Sequence, residues 1–180
     1  RRPETCGKMN SVREVETKDG KILVNGQPIL VRGVNRHEWD PETAQYVRTD
    51  TMVKDIELLK QNNFNLVRTA HYPNVPEWYE LADRYGVYVI AESNIESHGM
   101  GYGEASLAHP PSWGPAHLDR TVRVVERDKN HACVVVWSLG NEAGFGDNFR
   151  ATARWVKQRD PSRPVQYEQD AKTEVTDIKC

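Results

Sequence analysis

The sequence lacks any apolar run long enough to cross a membrane, and it carries almost no excess of charge. The net charge of the 180 residues is -2, so composition gives no electrostatic argument for binding nucleic acid or an anionic membrane. The N-terminal stretch RRPETCGKMNS also lacks the apolar core of a signal peptide. These absences favour a globular protein whose partners are neither nucleic acids nor membranes.

Cysteine is scarce, and the three that occur follow no zinc-binding or redox spacing. They are Cys6, Cys133 and Cys180. An odd count, with one thiol inside an apolar run, favours free cysteines over a disulfide framework and therefore a reducing compartment. We expect a cytoplasmic protein, or a periplasmic one if a signal peptide lies upstream.

Apolar strands alternate with amphipathic helices from residue 21 onward, after an irregular lead-in predicted for residues 1–20. A hairpin is predicted at 21–30 around the Asn25-Gly26 turn. Further strands are predicted at 29–38, 64–73, 87–99, from 131 and at 164–168, with helices at 48–63, 76–86, 116–130 and 147–160. This order predicts an α/β fold with a parallel sheet covered by helices.

Two architectures fit this order, an open doubly wound sheet and a (β/α)8 barrel. No glycine-rich phosphate fingerprint follows the first strand, which weakens the nucleotide-binding alternative. Four successive strands instead end in polar residues, at 35–38, 68–71, 92–98 and 141–142. The carboxyl ends of barrel strands meet on one rim, where active sites lie. The sequence therefore predicts a partial (β/α)8 TIM barrel over residues 21–180, roughly the first four βα units plus a fifth strand.

Glu142 stands at the end of the most apolar of these strands. Partial desolvation raises the pKa of a carboxyl group, so Glu142 could act as a general acid. The neighbouring Asn141 offers a donor and an acceptor for a substrate hydroxyl. From Glu142 alone, a glutamate that caps the following turn or pairs with a basic side chain is the better interpretation.

Glu96 and His98 are two positions apart, which places both side chains on one face of an extended segment. With Glu142 from the neighbouring strand end they would form an oxygen-rich ligand set with one imidazole. Such a set suits Mg²⁺ or Mn²⁺ better than structural zinc. A hydrogen-bonded Glu-His pair without a metal is the alternative.

Three further polar side chains lie at the ends of the first two strands. His37 and His71 could donate hydrogen bonds to a polyol, and Arg68 could orient a carboxylate through its guanidinium fork. Each has an ordinary structural interpretation when it is taken singly. Their shared position at one end of the same sheet favours a site.

The motifs GVNRHE, VRTAHYPNVPEWYELADRYGVYVIAESNIESHGM, WSLGNEAG and DPSRPVQYE occur in this order. Together they resemble the catalytic barrel of glycoside hydrolase family two, and in particular its large β-galactosidases, from about Lys21 to the end of the chain. The β-glucuronidases of the family share parts of these motifs. The forms ESHGM and SLGNEAG resemble the β-galactosidase branch.

This resemblance implies retaining hydrolysis of terminal β-D-galactosides with Glu142 as the acid/base. It implies a Mg²⁺ site formed by Glu96, His98 and Glu142, and a Na⁺ site whose ligands lie mostly outside this chain. The implied contacts with the substrate, or with the active-site shell around it, come from His37, His71, Asn141 and Arg68.

The resemblance also places the nucleophile on a later strand, beyond Cys180, with its carboxyl group ~5 Å from the acid/base. Glu92 and Glu168 are the nearest replacements within the chain, and neither matches the nucleophile position. We therefore expect the remainder of a β-galactosidase chain as a partner, and an isolated chain that is inactive or nearly so. The oligomeric state stays open, a homo-oligomer included.

Two alternatives remain at this point. A non-catalytic half-barrel could pair with itself, complement another fragment, or bind sugar or metal without turnover, because its open edge strands invite pairing. A related β-glucuronidase or β-mannosidase is the other alternative. The chain also departs from the family at Ala132-Cys133, where the family usually has Pro-Ser. That pair begins a strand, so we expect it to affect stability more than chemistry.

Overall fold

A three-stranded antiparallel sheet begins the computed structural model, which describes residues 14–180. Strands β1 (Val15–Lys18), β2 (Lys21–Val24) and β3 (Gln27–Ile29) follow one another as a meander. Asn25 and Gly26 both have positive φ, as the tightest two-residue hairpin turn requires. The hairpin predicted at 21–30 is confirmed.

Strand β1 differs from the irregular lead-in predicted for residues 1–20, of which residues 1–13 lie outside the described residues. Val15 is buried, and the chain reverses at Asp19-Gly20, where both residues have positive φ. All four residues of β1 therefore pair with β2. The segment VETK contains a single apolar residue, so its sequence carries no alternation that predicts a strand.

Five parallel strands form the second sheet, and they neighbour one another in chain order. The strands are β4 (Gly33–Arg36), β5 (Leu66–Thr69), β6 (Tyr88–Glu92), β7 (Val134–Ser138) and β8 (Val165–Gln166). The helices between them are α1 (Thr49–Gln61), α2 (Pro76–Tyr85), α3 (Gly114–Asp128) and α4 (Asp147–Arg159). Each helix begins and ends within two residues of its predicted position. The partial barrel of four βα units plus a fifth strand is confirmed, and over residues 14–180 the sheet does not close on itself.

The core lies on both faces of β7, whose five residues are all buried. Val134 and Trp137 belong to the larger apolar cluster, which includes the inward side chains of the four helices. Val135 and Val136 belong to a smaller cluster with Val15 of the antiparallel sheet. A strand covered on both faces reads as a continuous apolar run, as this one does.

No helix within the described part of the chain is both long enough and apolar enough to span a bilayer.

The carboxyl ends of the parallel strands lie side by side. Asn35 of β4 pairs with Arg68 of β5, and Glu92 of β6 pairs with Ser138 of β7. The polar residues that follow these strands therefore share one rim, as the barrel prediction requires. The packing of strands and helices thus delivers the chemically capable side chains to a single edge of the sheet.

Gly140 lets the segments that follow β6 and β7 approach each other closely. Its φ is +152°, and a Cβ at this position would lie 2.4 Å from the carbonyl oxygen of Ile95. A distance of 2.4 Å between a Cβ and a backbone oxygen is a steric clash, so residues other than glycine do not fit at this position. An isolated parallel bridge between Glu96 and Asn141 forms directly beyond it. The glycine therefore brings two of the predicted site residues together.

Candidate active site

Glu92, at the end of β6, lies beneath the residues of the rim, and its side chain is fully buried. Its carboxylate accepts hydrogen bonds from Arg68 Nε at 2.5 Å and Ser138 Oγ at 2.6 Å, and it contacts His71 Nδ1 at 2.7 Å. Burial raises the pKa of Glu92, and Arg68, Ser138 and His71 oppose that rise. A buried carboxylate with this many partners holds other groups in place, because leaving any of them unpaired would cost desolvation free energy.

Arg68 connects Glu92 to Asn141 on the rim. Its Nη2 donates to Asn141 Oδ1 at 2.9 Å while its Nε is held by Glu92. The amide nitrogen of Asn141 in turn donates to Glu96 Oε1 at 3.0 Å and to Glu142 Oε2 at 3.3 Å. The planar guanidinium fork thus fixes the direction of the Asn141 amide.

Glu142 lies in the turn that follows β7, with a φ of +43°. Its backbone N–H donates to Glu168 Oε1 at 2.6 Å. Its side chain is 47% exposed, so the carboxyl group is partly desolvated, in agreement with the prediction from the apolar strand before it. Leu139 and Ala143 on either side of it are fully buried, so the carboxyl group lies at the edge of the apolar region. No lysine or arginine within residues 14–180 forms an ion pair with it, so the basic partner considered as an alternative is absent from the described residues.

Glu96, His98 and Glu142 form the cluster that the sequence predicts. One ligand atom from each lies within 4.8 Å of the others. His98 Nδ1 is 3.5 Å from Glu96 Oε1 and 3.7 Å from Glu142 Oε2, and all three side chains reach solvent. Two carboxylates and one imidazole at an open edge leave room for water ligands, as Mg²⁺ and Mn²⁺ prefer. The donor set therefore fits the predicted ion.

His37 and His71 lie together on the same rim. Their ring centroids are 5.5 Å apart in an edge-to-face arrangement. His37 is exposed, whereas His71 is partly buried because its Nδ1 contacts Glu92. A cis peptide bond joins Ala70 to His71. The structure therefore brings all four predicted substrate-binding side chains to one edge, beside Glu142.

The loop between β6 and α3, at residues 93–113, packs against the turn that carries Glu142. Ser106 Oγ donates to the carbonyl oxygen of Ala143 at 2.6 Å, and Asn148 Nδ2 donates to the carbonyl oxygen of Leu107 at 2.9 Å. Gly144, with a φ of +70°, makes this contact possible, because a Cβ there would lie 2.5 Å from Ser106 Oγ. These hydrogen bonds hold the loop in place beside Glu142.

Tyr102 is a member of the site that sequence reasoning misses. It is half exposed, and its pKa is raised by partial burial and then by the carboxylates of Glu142, Glu168 and Glu96. The hydroxyl group therefore stands among the acids of the rim. Its only sequence signal is an aromatic residue inside the long loop, which does not distinguish it from other loop aromatics.

A second cluster of polar groups lies at the opposite end of β7. Asp83 Oδ1 accepts the backbone N–H of Cys133 at 2.6 Å, and Asp83 Oδ2 lies 2.7 Å from His131 Nδ1. The Cys133 thiol is fully buried, and burial together with the nearby Asp83 carboxylate raises its pKa. The departure at Ala132-Cys133 thus lies away from the rim, as its place at the start of the strand predicts.

Comparison with known proteins places this geometry in a family. The family model described as glycosyl hydrolases family 2, TIM barrel domain, matches residues 15–180. A β-galactosidase of Vibrio cholerae serotype O1 is 56% identical over 169 residues, which are 93% of this chain and 16% of that protein. A β-galactosidase of Pectobacterium atrosepticum is 52% identical over the same shares. The chain therefore spans about a sixth of the length of these curated relatives.

Solved structures agree with the fold. A β-glucuronidase of Faecalibacterium prausnitzii superposes with a TM-score of 0.80 at 33% identity, covering 93% of this chain and 31% of that one. A β-D-glucuronidase of Dictyoglomus thermophilum superposes with a TM-score of 0.76 at 29% identity, covering 93% of this chain and 30% of that one. With the family model matched across nearly all of its described residues, the chain belongs to glycosyl hydrolases family 2, as part of the TIM barrel domain.

Proposed function

We propose that this chain is the part of a retaining β-galactosidase that carries the acid/base, with the nucleophile supplied by the rest of the full-length polypeptide. The observation that carries this proposal is Glu142. It is a half-exposed carboxyl group at a strand end, held by Asn141 and unpaired with any lysine or arginine of the described residues. The identity of 52–56% to two β-galactosidases supports galactose as the sugar that is recognised.

The reaction proceeds in two steps at one sugar carbon. A carboxylate outside this chain attacks the anomeric carbon, and Glu142 gives its proton to the glycosidic oxygen, which leaves as an alcohol. The ionised Glu142 then takes a proton from water, whose oxygen displaces the first carboxylate and restores the original anomeric configuration. His37, His71, Asn141 and Arg68 bind the sugar hydroxyls or hold the groups that do.

Magnesium belongs to the same proposal. Glu96, His98 and Glu142 would hold the ion, which supplies fixed positive charge beside the acid/base. The fit of the donor set supports this assignment, because hard oxygen ligands and open water positions suit Mg²⁺. His98 Nδ1 lies 3.5 Å from Glu96 Oε1 and 3.7 Å from Glu142 Oε2, so the three side chains are close enough to share one ion.

The substrate is tested with nitrophenyl glycosides on the full-length polypeptide. We expect kcat/KM for the β-D-galactoside to exceed that for the β-D-glucuronide and the β-D-mannoside, with the β-anomer of galactose released first in proton NMR. The β-glucuronidase structures that resemble this chain make the glucuronide the informative competitor. Faster turnover of the glucuronide would replace the galactosidase assignment, and initial release of the α-anomer would exclude a retaining mechanism.

The metal site is tested by Glu96→Gln, with binding of Mg²⁺ measured by calorimetry on the full-length polypeptide. Loss of one charged oxygen ligand is expected to weaken Mg²⁺ binding by about tenfold or more. Glu104→Gln is the matched control, since Glu104 is an exposed carboxylate in the adjacent loop. Equal Mg²⁺ affinity in the wild-type protein and the Glu96 variant would remove these residues from the metal site.

A further inference from the structure

The buried carboxylate of Glu92 has no role in the two-step reaction, yet it contacts two residues that the reaction uses. Arg68 and Ser138 both donate to its Oε2, while Oε1 faces His71 Nδ1 at 2.7 Å. An arginine only donates hydrogen bonds, because it has no acceptor atom. Oε2 therefore accepts from Arg68.

The Ser138 hydroxyl has its direction fixed from the far side. Gln166 Nε2 donates to Ser138 Oγ at 2.8 Å, which leaves the serine hydrogen free to point at Glu92. The amide group of Gln166 also accepts from the Cys180 thiol through Oε1, so its orientation is set. This line of polar groups crosses from β8 to β5 beneath the rim, and Glu92 is at its centre.

These contacts determine which ring nitrogen of His71 carries the hydrogen. Oε2 accepts from two donors, and one of them is the guanidinium of Arg68, whose positive charge favours the ionised form of Glu92. Oε1 of the ionised carboxylate then accepts from His71 Nδ1–H. In the neutral imidazole the other nitrogen, Nε2, then carries no hydrogen and is the acceptor offered to a ligand. A carboxylate that fixes the tautomer of a functional imidazole acts in the same way in other enzymes.

The same carboxylate also sets the direction of Asn141. Because Glu92 holds Arg68 Nε, the remaining arm of the guanidinium meets Asn141 Oδ1. The NH₂ group of Asn141 must then face Glu96 and Glu142, where it lies 3.0 and 3.3 Å from their carboxylates. Reversal of this amide would place an oxygen atom against two carboxylates.

We propose that Glu92 is the positioning residue of this site: it holds His71 as the Nδ1–H tautomer and, through Arg68, aims the amide of Asn141 at Glu142. The proposal rests on the function proposed above for its kinetic consequence. Its structural part, the state of His71, holds whatever the substrate is.

Glu92→Gln tests the proposal with almost no change in size. The amide oxygen of glutamine must face Arg68 and Ser138, which only donate here, so its NH₂ group must face His71 Nδ1. His71 then becomes the acceptor at Nδ1, and its hydrogen moves to Nε2. We expect ¹⁵N NMR of the histidine-labelled full-length polypeptide to show Nδ1–H on His71 in the wild type and Nε2–H in the variant, at a pH where the ring is neutral.

Kinetics on the full-length polypeptide provide the second readout. Glu92→Gln is expected to lower kcat/KM for the β-D-galactoside by about 10- to 100-fold. Asp83→Asn is the matched control, because Asp83 holds His131 Nδ1 at the same distance of 2.7 Å but at the opposite end of β7. That variant loses a carboxylate-imidazole pair of the same kind and should keep kcat/KM within about threefold of the wild type.

These measurements distinguish failure of the positioning role of Glu92 from failure of the proposed galactosidase function. Wild-type His71 with its hydrogen on Nε2 overturns the positioning role without any variant. A fall in kcat/KM of less than threefold in Glu92→Gln also overturns it. An equal fall in kcat/KM in Glu92→Gln and Asp83→Asn does the same. If the full-length polypeptide hydrolyses no galactoside, the proposed function is refuted but the positioning role is not. The NMR result then decides whether Glu92 sets the tautomer of His71 or has a purely structural role.

Discussion

Replacing Glu142 by glutamine in the full-length polypeptide is expected to lower kcat/KM for an alkyl β-D-galactoside by about 10²–10⁴-fold. Glutamine keeps the size of the side chain and can still accept the hydrogen bond that Asn141 Nδ2 donates. It cannot give a proton to the glycosidic oxygen, and an alkoxide leaves poorly without that proton. Because the native side chain is half exposed, the substitution leaves no buried group unpaired, and the loss should fall on chemistry rather than folding.

The leaving group provides the internal check on this prediction. A dinitrophenolate departs with little protonation, so formation of the covalent intermediate from a dinitrophenyl galactoside should fall far less than turnover of the alkyl galactoside. Both rates are measured on the same preparation. Glu104→Gln, which removes an exposed carboxylate from the neighbouring loop, should stay within about twofold of the wild type. An alkyl galactoside hydrolysed at the wild-type rate by the Glu142 variant would show that another group supplies the proton.

The barrel segment is predictable from sequence because its elements are strongly marked. Strand β7 reads as VVVWS and is buried on both faces, and α2 is followed by Gly86, whose φ of +69° is the backbone state that favours glycine after a helix. Strand β1 lacks such a mark. Its stability comes from pairing with β2 and from burial of Val15, and neither is visible as a period in four residues.

The members of the site are predictable from topology, whereas their contacts are not. Parallel strand ends share an edge, so Arg68, His71 and Asn141 are expected to lie near one another. The role of Glu92 depends on partners that lie 21, 24 and 46 positions away in sequence. Which of several polar neighbours bond to each other is decided by strand register and rotamers, and these are long-range properties of the fold.

The partial exposure of Glu142 shows the same limit. An apolar strand predicts a partly desolvated acid at its end, and the 47% exposure of the Glu142 side chain agrees with this prediction. The strand pattern does not show that burial continues past β7, where Leu139 and Ala143 are fully buried. That burial depends on the close approach of Gly140 to Ile95, which is a tertiary contact.

The 180-residue chain on its own is expected to hydrolyse a nitrophenyl β-D-galactoside at least about 10⁴-fold more slowly than the full-length polypeptide. Retaining hydrolysis needs a second carboxylate ~5 Å from the acid/base. Glu168 accepts the Glu142 backbone N–H through Oε1, and its Oε2 is buried. Glu92 is fully buried and held by Arg68. Neither of these two carboxylates presents an open face to a sugar carbon.

This comparison separates the fragment proposal from the alternatives, provided that the isolated chain is folded and its oligomeric state is known from sedimentation. The described sheet ends at β4 and β8 without closing, so self-association through these edges is the state to check first. Turnover by the isolated chain that Glu142→Gln abolishes would mean that the nucleophile lies within it, and Glu168→Gln would then test the remaining candidate. Turnover that survives Glu142→Gln would come from a contaminating hydrolase. An inactive chain that binds Mg²⁺, beside an active full-length polypeptide, is the result expected if the acid/base and metal ligands lie here and the nucleophile does not.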